Sequence, residues 1–133
     1  MPLNRTPLTG NQIVAMANVS LQRDYSFPAP GANPSINTVN EINVLGLPSL
    51  MYHITLNSPV AGVIFTPLFS VQNITTGGVT APNWVPFTNG ALLVPGNVFV
   101  FSIRAAVGQA AAEITIPAGG GPTAVRVIIT AGG

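Results

Sequence analysis

Few side chains in this sequence can do acid–base or metal chemistry. They are one histidine, His53, three acids, Asp24, Glu41 and Glu113, and four arginines, Arg5, Arg23, Arg104 and Arg126; lysine and cysteine are absent. A lone imidazole needs carboxylates close by to hold a metal. On a strand His53 alternates onto the face of Met51 and Thr55, so it reads as a structural or surface histidine. Glycoside hydrolysis needs two carboxylates at a set separation, one with a raised pKa. The three acids fall on different elements, and nothing in their spacing brings them together. None of the seven serines lies in a G-x-S-x-G context, so no nucleophile elbow is visible. Gly119-Gly120-Gly121 lacks the lysine and the strand–helix setting of a phosphate cradle and reads as a link. Three N-x-S/T matches, at Asn4, Asn18 and Asn73, are expected by chance in a chain so rich in Asn, Ser and Thr. The sequence predicts no enzyme, no cofactor and no metal.

Two binding chemistries remain. Trp84, flanked by Pro82 and Pro86, could join Tyr25, Tyr52 and the phenylalanines in a sugar-stacking platform. The arginines could pair with the acids. Arg104 and Arg126 sit centrally in long strands among apolar neighbours, where a charge needs a partner or an edge. Glu113, on the short strand between them, is the candidate partner, within the chain or across a subunit interface. The residues expected at interfaces are Arg5, Trp84, Arg104, Glu113 and Arg126.

The elements that would position these groups are strands. Val, Ile and Thr number 15, 11 and 12 of the 133 residues, and 14 Gly and 13 Pro are spread along the whole length. Beta-branched runs punctuated by turn residues predict many short strands. The first sixteen residues, broken by Pro2, Pro7 and Gly10, read as an irregular arm, and 17–133 as one domain. Strands are expected over 17–27, near 38–45, over 49–57, 60–65 and 68–74 with a break at Thr66-Pro67, over 79–87 as an edge strand or ordered loop, and over 97–107, 111–116 and 123–130. Residues 28–35 and 117–122 are loops, and Thr76-Gly77-Gly78 is a turn. Asn89-Gly90 is a type I′ hairpin signal. Helical character is confined to short stretches at 11–16 and 107–113. Eight to ten strands with turns every eight to twelve residues predict an all-β antiparallel β-sandwich, with a jelly roll as the specific expectation.

Charge bounds the partners. Seven charged residues make 5% of the chain, with net charge +1; a typical domain is about a quarter charged. Four scattered arginines cannot neutralise many phosphates, which excludes a polybasic nucleic-acid binder. No run approaches 18 apolar residues, so no membrane span and no membrane partner are expected. The opening MPLNRTPLTGNQIVAM has no apolar stretch of secretory-signal length. The strands at 60–65, 98–103 and 125–129 are apolar on both faces, whereas a solvated sandwich has a polar outer face. Asn, Thr, Ser and Gln, numbering 12, 12, 7 and 4, can be packed against another protein with little ion desolvation. The expected surface is therefore one that associates. The arm, carrying Arg5, is expected to order against a neighbour.

The Pro-containing arm MPLNRTPLTGNQ, the Asn/Thr/Gly-rich low-charge strands and the closing VRVIITAGG resemble the small all-β decoration or cement proteins of tailed-phage heads. The resemblance spans the chain and matches no diagnostic motif, so it transfers no residue role. It implies a non-enzymatic virion protein, often a trimer, that sits on the capsid surface and ties major capsid or other shell subunits together. Jelly-roll proteins of bacterial spore coats and appendages share the composition, often with cysteine cross-links that this chain lacks. A self-assembling extracellular coat or fibre subunit and a carbohydrate-binding module are the alternatives.

Overall fold

Alternate residues along 19–27, 49–56, 98–104 and 123–132 give each of these segments a largely apolar face to bury, and each forms a strand. A computed structural model describes residues 18–44, 46–71 and 83–133. Its strands are β1 (Val19–Phe27), β2 (Ser35–Asn43), β3 (Ser49–Leu56), β4 (Ile64–Ser70), β5 (Val85–Pro86), β6 (Ala91–Leu92), β7 (Val98–Arg104), β8 (Gln109–Ile116) and β9 (Thr123–Gly132). They form two sheets, one ordered β1-β9-β3-β7 and the other β2-β8-β4-β5, with β6 also on β4. All pairings are antiparallel. The molecule is the expected all-β sandwich. The arm at 1–16, Arg5 and the turn at 76–78 lie outside the described residues.

The inward faces meet in one core. Leu50, Tyr52, Ile54 and Leu56 of β3 and Val125, Val127 and Ile129 of β9 pack with Phe65 of β4 and with Ile114 and Ile116 of β8. Tyr52 stands at its centre, with ring centroids 5.6 Å from Phe65, 5.9 Å from Phe101 and 6.4 Å from Phe87. Its hydroxyl donates to the Leu68 carbonyl at 2.8 Å, which ties β3 in the first sheet to β4 in the second. Burial pushes the phenol well above its ordinary pKa, so it stays a neutral donor.

Three local expectations are corrected. β4 runs unbroken through Pro67, where two strands with a break were expected. Pro67 accepts a hydrogen bond from the Phe87 N–H through its carbonyl. On a strand, a residue's N–H position lies on the same side as its carbonyl, so the donor that proline lacks is missing on the fragmented β5/β6 side and not from the β8 ladder. Asn89-Gly90 is not a hairpin turn. Gly90 lacks the positive φ that a type I′ turn requires. β5 and β6 instead run in tandem along one edge of β4, pairing Leu68 with Pro86 and Phe65 with Ala91. A Cβ at Gly90 would lie 2.4 Å from Ile64 Cγ2, so the glycine lets this edge approach β4. Finally, most of 107–113 is strand: β8 begins at Gln109.

Candidate assembly surfaces

The outer face of the first sheet is laid out by register. One row across β1, β9, β3 and β7 holds Ser20, Thr130, Met51 and Ser102; the next holds Gln22, Ile128, His53 and Val100; the next holds Asp24, Arg126, Thr55 and Val98. The rows divide the face in two. On the β1/β9 side, Arg126 Nε donates to Asp24 Oδ1 at 2.8 Å and Nη2 to Oδ2 at 3.3 Å. The arginine hydrogen bond holds the Asp24 carboxyl below its ordinary value. Ser20 and Thr130 hydroxyls lie 3.4 Å apart. On the β3/β7 side, Val98 and Val100 are 56% and 50% exposed and Met51 is exposed beside them.

The outer face of the second sheet carries its own apolar row. Ile36 of β2, Ile64 of β4 and Leu92 of β6 line up across the strands, with Thr115 of β8 between the first two. Ile36 and Leu92 are 65% and 62% exposed. No sequence pattern marks this row, because its members come from four strands and meet only through register.

The residues singled out from the sequence scatter. Glu113 sits on the outer face of the second sheet between Thr38 and Thr66, while Arg104 and Arg126 belong to the first sheet. The expected pairing with Glu113 within the chain is therefore replaced by Arg126 with Asp24. Register decides this, since Asp24 lies directly opposite Arg126. Arg104 is exposed at the end of β7, its Nη1 donating to Ser49 Oγ at 3.3 Å. Beside it, Ser49, Met51, Ser102 and Thr130 line a groove of about 480 Å³. Trp84 is half-buried just before β5. His53 has Val100 and Ile128 as cross-strand neighbours, and among the described residues no three His, Asp or Glu side chains cluster as metal ligands. Asp24 and Glu113 point outward from opposite sheets, so they cannot share a substrate.

No family model matches the sequence, and no curated protein does. One solved structure, a chain from the disulfide-linked pili of Bacillus endospore appendages, aligns over 86% of this chain and 88% of its own, at 14% identity and a TM-score of 0.43. The present chain has no cysteine.

Proposed function

We propose that this chain is a non-catalytic structural subunit that works by associating in many copies, as in a self-assembling extracellular coat or fibre. The observation that carries the reading is the pair of exposed apolar patches on opposite outer faces of one sandwich: Val98, Val100 and Met51 on one, Ile36, Ile64 and Leu92 on the other. Contiguous exposed apolar surface favours contact with other proteins. Two unlike patches on opposite faces favour more than one neighbour, the condition for an extended assembly. The near absence of charge adds to this, since few ions would lose water on contact. The strand order, with successive strands passing between the two sheets except along β4, β5 and β6, supports reading the sandwich as a jelly roll.

The test is electron microscopy of the purified protein with its mass in solution. Ordered filaments or sheets support the reading. A soluble oligomer, such as the trimer that the phage resemblance implies, that co-sediments with undecorated capsids would move it to capsid decoration. Glycan binding lost on Trp84→Ala would move it to a carbohydrate module. A single-copy species with no affinity for any assembly would contradict it.

A further inference from the structure

We infer that the free edge of β7 is a pairing edge, and that its partner is β7 of a second copy, related by a two-fold axis; this rests on the assembly reading above and specifies one contact within it. An open strand edge offers unpaired N–H and C=O groups to any other strand, and folded proteins blunt such edges with bulges, charges, prolines or short length. Three of the four edges here are blunted. β2 carries a register shift between Val39 and Ile42, with exposed Glu41 inside it. β5 and β6 are two-residue pieces, one containing Pro86. β1 places Arg23 and Asp24 at its middle. β7 has none of these devices. Its seven residues, VFVFSIR, pair with β3 without a register shift, carry no proline and hold one charge at the end. Among the described residues no strand lies on its other side.

Which groups face outward follows from one bond. The Ala105 N–H donates to the Pro48 carbonyl at 3.0 Å, one step beyond the pair Ser49 and Arg104. Antiparallel pairs alternate between bonded and non-bonded. Ile103, Phe101 and Phe99 therefore bond toward β3, and the N–H and C=O groups of Val98, Val100, Ser102 and Arg104 point off the edge. The same four side chains lie on the outer face.

A second β7 is the complement. Placed antiparallel with Val98 opposite the other copy's Arg104, and Val100 opposite its Ser102, each outward backbone group meets one of opposite kind. The two Arg104 charges fall at opposite ends of the ladder. Each arginine's aliphatic stem can lie over the facing Val98, with the guanidinium at the rim. The two four-stranded sheets become one.

The absence of native cysteine makes the test clean. Val100→Cys chains mixed with Ser102→Cys chains under mild oxidation should give a linked pair roughly tenfold faster than a mixture of Gln22→Cys and Ser26→Cys chains, because pairing raises the effective concentration of the facing thiols. Equal rates would overturn the inference. Val100→Pro removes an outward N–H without touching the β3 ladder, and Val100→Lys blunts the edge by charge should the proline variant fail to fold. Either, once shown folded by its β-sheet circular dichroism, should lose the two-fold contact and lower the mass seen by light scattering. Assembly unchanged in both folded variants overturns β7 pairing and leaves the assembly reading standing. Wild-type protein that remains single-copy overturns both.

Discussion

The two halves of one sheet face show how a single fold separates a paired polar surface from an exposed apolar one. Both halves share the same core below them. Above it, β1 and β9 present Ser20, Gln22, Asp24, Arg126 and Thr130, and their charges are matched across the strands. β3 and β7 present Met51, Val98 and Val100, and among the described residues β7 ends the sheet at an open edge. The hydrated half pairs its two charges and brings the Ser20 and Thr130 hydroxyls together within the chain. The other half leaves apolar area and backbone groups unused, and these are what a neighbour would take up.

The largest expected effect breaks what the halves share. Tyr52→Ala removes the ring at the centre of the aromatic cluster and the hydrogen bond between sheets. It should cost on the order of 3–5 kcal/mol in denaturant unfolding and destabilise both halves together. Next is Gly90→Ala, whose Cβ has no room against Ile64 Cγ2 and Thr66 Oγ1. Moving them should cost about 1–3 kcal/mol and disturb the Ile64–Leu92 contact on the second face. Lysines at Val98 and Val100 sharpen the comparison. Stability should change by no more than about 0.5 kcal/mol, since both sites are exposed, while association measured by sedimentation should be lost. Lysines at Gln22 and Ser26, on the hydrated half, should leave association intact. The smallest effect belongs to Asp24→Asn. The folded carboxyl is held below its ordinary value by Arg126, so the pair stabilises the fold above the ordinary carboxylate range and is lost as pH falls through the lowered value. Both partners are exposed, so the variant should differ only slightly from wild type near neutrality, and less still in acid, by thermal unfolding.

Much of this was legible in the residues. Alternation placed β1 and β3, and β-branched runs bounded by turn residues placed β7 and β9. Val98 and Val100 on one face of 98–103, with Phe99, Phe101 and Ile103 on the other, pointed to the apolar half. What the chain hid was cross-strand register. Asp24 and Arg126 are far apart in sequence and meet because β1 pairs β9, so Glu113 looked the better partner. The row of Ile36, Ile64 and Leu92 is invisible for the same reason. Pro67 and Asn89-Gly90 misled for a different one: both carry strong local signals, and the fragmented edge on β4 accommodates a missing donor and uses the glycine for close approach in place of a turn.

The central claim is that the β7 side of the first sheet is a protein contact and the β1/β9 side is solvated. Residue-resolved hydrogen exchange at high and low protein concentration tests it most directly. The amides of Phe99, Phe101 and Ile103, bonded to β3, should be protected at both. Those of Val98, Val100, Ser102 and Arg104 should be protected when concentrated and exchange freely on dilution. Free exchange of these four at every concentration would contradict the account.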